Sequence, residues 1–262
     1  DVYITDGTAA GTQLLIDMDP SDESYPIRNF VLFNNALYFV ADEVTVGPSL
    51  WKTDGTTAGT VLVKDFDPNG NTYDGSFIVI AGNKMFMPAF DSHGRELWVS
   101  NGTAAGTKMV KNIRPGGLSA FEYYLDPGLW AVGNEVYFLA TDDTGFLEPW
   151  RSDGSINGTV KVIAFNSPYT NYTANSFTGY NGKVIFTNEV LANKVSVYTT
   201  DGTSQGTQLL TTISVYADVL LHYNNKIFFS MRCYVAIAYP ASLRSGVLNY
   251  LLNNYAELRS AT

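Results

Sequence analysis

The chain has 262 residues, of which 45% are apolar, with a formal net charge of −9 and one cysteine, Cys233. A chain of this length and apolar content can bury a core, as one large β domain or two small ones, which excludes a mostly disordered protein. The acidic balance, without any basic run, argues against nucleic acid or an anionic membrane as a partner. No stretch approaches the ~20 apolar residues of a spanning helix, and one cysteine excludes a disulfide framework. The sequence opens at Asp1 without a signal-like segment, so we expect a processed or excised soluble chain.

One motif recurs five times along the sequence. Each copy has an aromatic residue, then Asp or Asn followed by Gly, and it ends on Gly-Thr after two variable residues. The Asp or Asn positions lie 48, 47, 52 and 48 residues apart. A fixed period of this size indicates a solenoid or a propeller. The copies occupy residues 3–12, 51–60, 98–107, 150–159 and 198–207.

Dipeptides of Asn and Gly stand between the copies and predict two-residue hairpin turns in which both residues have positive φ. In the third repeat, strands are expected at 77–81, 84–89, 96–100 and 108–113, joined as two hairpins. A four-stranded antiparallel unit of this length is the size of a propeller blade. The five dipeptides are Asn34-Asn35, Gly82-Asn83, Gly133-Asn134, Asn181-Gly182 and Asn224-Asn225.

The order of these pieces predicts how the ends meet. Residues 2–5 and 13–17 supply a third and a fourth strand, whereas the last hairpin, at 218–230, is followed by no such pair. We therefore predict an all-β fold over residues 1–231, a five-bladed β-propeller of four-stranded antiparallel blades. The N- and C-terminal strands would close the ring by sharing one blade, which removes open sheet edges. The alternative is an open fragment of a longer array.

The third copy, Glu96-Leu97-Trp98 followed by Asn101-Gly102-Thr103 and Gly106-Thr107, resembles the ELWxxDGTxxGT repeat of secreted and surface proteins. The resemblance covers residues 1 to about 231. It implies an extracellular or cell-surface location and a repeat fold. It supplies no catalytic residues.

The Asp-Gly-Thr segments are interpreted as structural turns. A carboxylate or amide at the end of a strand accepts hydrogen bonds from amides two residues on, and Gly takes the left-handed conformation. The turn residues are Asp6, Asp54, Asn101, Asp153 and Asp201. The aromatic residues at 3, 51, 98, 150 and 198 fall on third strands, where blades pack together, and are predicted to be core.

Metal and catalytic signatures are weak. Asp65, Asp67 and Asn69 match the start of a calcium loop, but Ser76 stands where a bidentate Glu is needed, so a strand exit is the favoured interpretation. The two histidines, His93 and His222, lie in different repeats without metal-ligand spacing. No cofactor is expected, with calcium as the alternative. Loop carboxylates leave a glycan-active hydrolase as an alternative function, although nothing selects a pair from Asp42, Glu43, Asp91, Glu96, Asp142, Asp143 and Glu148.

Loops that join a fourth strand to the next blade form a propeller's usual ligand face. Here they span 19–28, 67–75, 114–127, 166–175 and 211–217, and each contains tyrosine. A tyrosine ring stacks on a ligand while its hydroxyl bonds, so these residues are candidate binding residues for carbohydrate or protein. The alternative is that these tyrosine rings have no ligand and only pack the loop against the first strand of the next blade. The candidates are Tyr25, Tyr73, Tyr123, Tyr124, Tyr169, Tyr172 and Tyr216.

Three N-glycosylation sequons begin at Asn101, Asn157 and Asn171.

Residues 232–262 break the period, and apolar residues at helical spacing predict an amphipathic helix over 243–258. That helix could dock on the propeller or on a neighbouring subunit. We therefore expect a non-catalytic extracellular module with an adhesive or structural role, and as an alternative a filament subunit assembled through this tail.

Overall fold

The computed structural model describes residues 1–18, 27–43, 47–67, 77–121, 128–165, 177–191, 194–213, 216–223 and 226–232. The described residues form twenty β-strands and contain no helix, and therefore none long and apolar enough to cross a membrane. The chain divides into two units, Asp1–Met231 and Arg232–Thr262. The predicted helix at 243–258 lies outside the described residues.

Four antiparallel sheets of four strands follow one another along the chain. The first contains β3 (Arg28–Phe33), β4 (Ala36–Glu43), β5 (Gly47–Thr53) and β6 (Val61–Asp65), and the second contains β7 (Val79–Ala81), β8 (Lys84–Asp91), β9 (Gly94–Ser100) and β10 (Lys108–Lys111). The third contains β11 (Leu129–Val132), β12 (Glu135–Thr141), β13 (Leu147–Ser152) and β14 (Val160–Lys161). The fourth contains β15 (Phe177–Tyr180), β16 (Lys183–Leu191), β17 (Lys194–Thr200) and β18 (Gln208–Ile213).

Two sheets of two strands stand at the ends of this series, β1 (Val2–Ile4) with β2 (Gln13–Ile16), and β19 (Tyr216–Tyr223) with β20 (Lys226–Arg232). They are separate sheets among the described strands, so closure of the ring by a shared blade stays a prediction. Each four-stranded sheet is one continuous meander in which the second and third strands also pair, for example Phe86 with Val99. The four-stranded, propeller-like repeat is confirmed.

The hairpin turns divide into two types. Asn34-Asn35 and Asn181-Gly182 have positive φ at both residues, as predicted. In Gly82-Asn83 and Gly133-Asn134 only the glycine has positive φ, so the prediction was wrong for these two. A glycine at the first position fits a type II′ turn, which needs only that residue to be left-handed. Asn224-Asn225 lies outside the described residues.

The core lies in the joints between successive sheets. At one joint, Val63 of β6 packs with Met85 and Met87 of β8 and with Trp98 of β9. Phe66 meets the Trp98 ring edge-on at 5.0 Å between centroids. Equivalent clusters fill the neighbouring joints, and the first strands β3, β7, β11, β15 and β19 also contact each other in sequence order. Such sequential packing of sheets is typical of propeller blades.

Burial of the motif aromatic residues is confirmed inside the series and fails at one end. Trp51, Trp98 and Trp150 are buried, and Tyr198 packs against a core cluster. Tyr3 on β1 is 63% exposed, so its assignment to the core was wrong for the described strands. The physical reason is that β1 belongs to a two-stranded sheet, which lacks the second strand that flanks each buried tryptophan.

Candidate functional site

The Asp-Gly-Thr loops form the same hydrogen-bond network in every repeat. In the second copy the carboxylate Oδ1 of Asp54 accepts from the backbone nitrogen of Thr56 at 2.9 Å and from its hydroxyl at 2.7 Å. The Thr56 hydroxyl oxygen in turn accepts from the backbone nitrogen of Gly59 at 2.9 Å. The corresponding acceptors in the other copies are Asp6, Asn101, Asp153 and Asp201.

The final glycine of each loop is required by contact with this acceptor. A Cβ atom built on Gly59 would lie 2.0 Å from Oδ1 of Asp54, and the other four loops show the same overlap. The first glycine, Gly55, has a φ of 91°, a conformation that other residues rarely adopt. Both glycines are therefore fixed by the loop itself.

Hydrogen bonding also fixes the charge state of these carboxylates. The side-chain and then the backbone hydrogen bonds from Thr56 lower the pKa of Asp54. The pKa values of Asp6 and Asp201 are lowered by the equivalent threonine contacts, and that of Asp153 by Ser155. These carboxylates are anions held by the loop, which suits a structural acceptor and not a proton donor.

A hydroxyl residue before each Asp has a role that the sequence analysis missed. The Thr53 hydroxyl oxygen accepts from the backbone nitrogen of Gly55 at 3.0 Å and pairs with the Thr60 hydroxyl at 2.7 Å. The pairs Thr5–Thr12, Ser100–Thr107, Ser152–Thr159 and Thr200–Thr207 repeat this contact. The signal was present, since Ser or Thr precedes the Asp or Asn in all five copies.

The acidic residue two positions before the motif aromatic also has a structural role. Glu96 is fully buried, and its two carboxylate oxygens accept from the backbone nitrogens of Ile113 and Arg114, each at 3.0 Å. Glu148 accepts from Phe165 at 2.9 Å and Asp1 from Met18 at 3.2 Å, both 17 residues away like the first pair. Burial raises the pKa of Glu96 to about 7, against the opposing effect of these hydrogen bonds. These side chains fix the exits of three fourth strands, β2, β10 and β14, where tyrosine-bearing loops begin.

Three of the loops are also held by a side chain of the preceding sheet. The Tyr38 hydroxyl donates to the carbonyl of Gly102 at 3.3 Å, and Lys84 Nζ donates to the carbonyl of Asp153 at 2.6 Å. Arg151 Nε donates to the carbonyl of Gly202 at 2.8 Å. Three different side-chain types thus bind the same part of the loop from the neighbouring sheet. A sequence repeat cannot reveal this contact, because the donor changes from copy to copy.

The predicted tyrosine face falls mainly outside the described residues. Tyr25, Tyr73, Tyr123, Tyr124, Tyr169 and Tyr172 lie there, and Tyr216 begins β19 with its side chain likewise outside the description. The described part of one such loop ends in Phe121, which is buried and packs 5.5 Å from the Phe138 ring. Its backbone nitrogen donates to the Arg95 carbonyl at 3.3 Å. In this loop Phe121 closes the joint, a role that the plugging alternative gave to tyrosine.

The predicted calcium loop and the three sequons have different surroundings. The backbone nitrogen of Asp67 donates to Oδ1 of Asp65 at 3.0 Å, the turn expected for a strand exit, while Asn69 lies outside the described residues. No cluster of three or more His, Cys, Asp or Glu side chains occurs in the part of the chain that the structure describes. Asn101 uses its side-chain oxygen within the loop, whereas Asn157 is exposed between Ile156 and Gly158. Asn171 falls outside the described ranges.

Comparison with known proteins finds similarity only among solved structures. No protein-family model and no curated protein matches the sequence. The crystal structure of a nidogen/laminin complex aligns with 10% identity over 85% of this chain and 76% of that chain, with a TM-score of 0.43. TolB from Acinetobacter baumannii aligns with 16% identity over 79% of this chain and 51% of its own, with a TM-score of 0.40. An α-L-arabinofuranosidase from Clostridium thermocellum aligns with 15% identity over 80% and 82%, with a TM-score of 0.30.

These similar structures include enzymes and non-enzymes at low identity, so they do not decide between the two classes. This chain spans about half the length of TolB, so the activity of that protein does not transfer to this chain.

Proposed function

We propose that the chain is a non-catalytic extracellular module that binds carbohydrate or protein within a cell-surface or matrix assembly, in an adhesive or structural role. The observation that supports it most strongly is the use of the described carboxylates. The acids of the loops, together with Glu96 and Glu148, hold backbone amides. Asp142 binds Lys161 at 2.7 Å and the Thr144 hydroxyl at 2.5 Å. A glycosidase instead needs two carboxyl groups aimed at a common substrate.

The proposed ligand face is the set of loops with Tyr25, Tyr73, Tyr123, Tyr124, Tyr169, Tyr172 and Tyr216. Glu96, Glu148 and Asp1 support this assignment, because each binds a backbone amide where one of these loops begins. An extracellular location is proposed from the repeat resemblance, and the exposed Asn157 would be accessible to a glycan.

We also propose that the two end sheets complete one shared blade, which would close a ring of five. Tyr3 is 63% exposed and Leu210 is 55% exposed, although their counterparts Trp98 and Val110 are buried in joints. If β1 paired with β20, Tyr3 would lie beside Leu210. Trp98 lies in the same way beside Val63 of the preceding sheet. Both exposed side chains would then be covered by the contact that the other joints already make.

A glycan-array screen of the purified chain, with and without calcium and paired with light scattering, tests the binding function. We expect selective binding by a monomer of about 28.7 kDa. Unchanged binding without calcium would show that the ligand does not depend on a calcium ion at Asp65, Asp67 and Asn69. If no glycan binds and light scattering gives a mass many times that of the monomer, the chain is instead a filament subunit. Turnover of a bound glycan that one carboxylate substitution abolishes would indicate the hydrolase.

A further inference from the structure

Three Asn-Gly pairs lie in turns that the structure describes, Asn101-Gly102, Asn157-Gly158 and Asn181-Gly182. Asparagine is a thermolabile residue, because its side-chain amide can be hydrolysed. A following glycine favours this deamidation, since glycine has no side chain to hinder the approach of its own backbone nitrogen. The three pairs have the same sequence, so a difference in their reactivity must come from the fold. A further pair, Asn69-Gly70, lies outside the described residues.

Deamidation of an Asn-Gly pair needs two free groups. The backbone nitrogen of the glycine loses its proton to solvent and attacks the side-chain carbonyl carbon of the asparagine. The side-chain nitrogen takes up a proton and leaves as ammonia. Water then opens the succinimide ring at either carbonyl, which gives aspartate or isoaspartate, and nothing is oxidised or reduced. A hydrogen bond to the glycine nitrogen or to the asparagine amide slows the reaction, because it must break first.

Asn101-Gly102 is held at both of these groups. The Asn101 Oδ1 atom accepts from the backbone nitrogen of Thr103 at 3.1 Å and from the Thr103 hydroxyl at 2.7 Å. The Gly102 nitrogen donates to the Ser100 hydroxyl oxygen at 3.0 Å, and Gly102 is buried. Three hydrogen bonds must therefore break before this pair can react.

Asn157-Gly158 is held at one of the two groups. The Asn157 side chain is exposed, but the Gly158 nitrogen donates to the Ser155 hydroxyl oxygen at 2.9 Å. Gly158 also packs closely on Asp153, since a Cβ atom built on it would lie 2.1 Å from Oδ1 of that residue. The attacking nitrogen of this pair is therefore bound to the loop, whereas its target is free.

Asn181-Gly182 is free at both groups. It forms the turn between β15 and β16, which the pairing of Tyr180 with Lys183 closes. Both turn residues are exposed, and a Cβ atom on Gly182 would meet no atom within 4 Å. Among the described residues, no hydrogen bond holds the Asn181 side chain or the Gly182 nitrogen. The hairpin is thus closed by the residues that flank the turn, and the two reacting groups face water.

We propose that Asn181 is the modification site at which the folded chain deamidates, in preference to Asn101 and Asn157. The reaction adds a negative charge next to Lys183. Aspartate tolerates the left-handed conformation of this turn position, so that product fits the hairpin. Isoaspartate adds a carbon to the main chain between Tyr180 and Lys183 and should disturb their pairing. The site goes beyond the proposed binding function and does not depend on it.

Peptide mapping by mass spectrometry tests this assignment on the full chain. The chain is kept in mildly alkaline buffer at body temperature, folded or unfolded in urea, and is then digested in acid to stop the reaction. In the folded chain, we expect Asn181 to react at least roughly threefold faster than Asn157 and roughly thirtyfold faster than Asn101, for one and three hydrogen bonds of ordinary net strength. In urea the three rates should converge.

Two variants separate the fold from the local sequence. Ser155→Ala releases the Gly158 nitrogen, so it should raise the rate at Asn157 and leave the rate at Asn181 unchanged. Exchanging the two turn residues, Asn181→Gly with Gly182→Asn, gives this turn the residue order of Gly82-Asn83 and should stop the fast reaction there, because Lys183 then follows the asparagine. An amide NMR spectrum checks that each variant is folded.

The proposal is overturned if Asn181 stays intact in the folded chain, or if Asn101 or Asn157 reacts as fast as Asn181. It is also overturned if Asn181 keeps the same advantage in urea, since the local sequence would then explain the rates and the hydrogen bonds would not.

Discussion

The inner joints and the end sheets carry equivalent residues but bury them differently. Trp98 is 5% exposed and Val110 is 6% exposed, whereas their end counterparts Tyr3 and Leu210 are 63% and 55% exposed. The Asp-Gly-Thr loops, in contrast, are the same at both places, since Asp6 at the end and Asp54 inside make identical contacts. The loop is therefore a property of one repeat, and the core is a property of two adjacent repeats.

The largest expected effect comes from removing an inner-joint aromatic residue. Trp98→Ala should lower the free energy of unfolding by about 3–5 kcal/mol, because it leaves a cavity among Val63, Met85 and Met87. Tyr3→Ala should cost a comparable amount, because the proposed closure covers Tyr3 in an equivalent joint. Denaturant unfolding measures both. A clearly smaller loss for Tyr3→Ala would mean that Tyr3 stays as exposed as it is in the described strands, and would contradict closure.

The buried Glu96 should make the stability of an inner joint depend on pH. Its pKa is raised to about 7 from 4.5, so the folded chain holds the proton more tightly than the unfolded chain. This contribution is full below about pH 4.5 and is lost as the pH rises through about 7. The stability advantage of the unaltered chain over Glu96→Gln should fall by roughly 3 kcal/mol across that range. Parallel pH profiles of the two proteins would show that the carboxyl does not titrate there.

The loop glycines provide the test in which ends and inner repeats should agree. Gly106→Ala and Gly11→Ala each place a methyl group on the acceptor side chain, Asn101 or Asp6. Displacing Asn101 breaks its two hydrogen bonds to Thr103, for a loss of about 1–2 kcal/mol. Thermal unfolding should give similar losses for both variants. In an Asn101→Ala background, Gly106→Ala should cost much less, and an undiminished cost would contradict the overlap.

A smaller effect tests whether the two ends meet. Tyr3→Ala and Leu210→Ala should be coupled by about 1 kcal/mol in a double-mutant cycle if the residues touch. Additive losses would mean that the side chains do not contact each other. The exposed Ile156 offers a control partner, for which we expect additivity with Tyr3.

The sequence predicted what depends on local patterns. The period, the four strands of the third repeat and the structural role of Asp54 came from residue types and spacing. The exposure of Tyr3 could not be predicted, because its burial depends on a neighbouring sheet and not on its own strand. The contacts of Glu96 with Ile113 and Arg114 join residues far apart in the sequence, so no short motif records them. The reactivity inferred at Asn181 depends on which hydrogen bonds surround it, and the Asn-Gly pair alone does not show them.

Chemical cross-linking tests most directly the claim that the two ends form the same joint as the inner sheets. Cysteines at Tyr3 and Leu210, in a Cys233→Ser background, would be treated with a short bismaleimide, with Tyr3 and Ile156 as the control pair. The account predicts efficient cross-linking within one chain for the first pair and not for the second, shown by peptide mass spectrometry of the monomer band. Cross-links formed only between chains, or none at all, would contradict closure and indicate an open array.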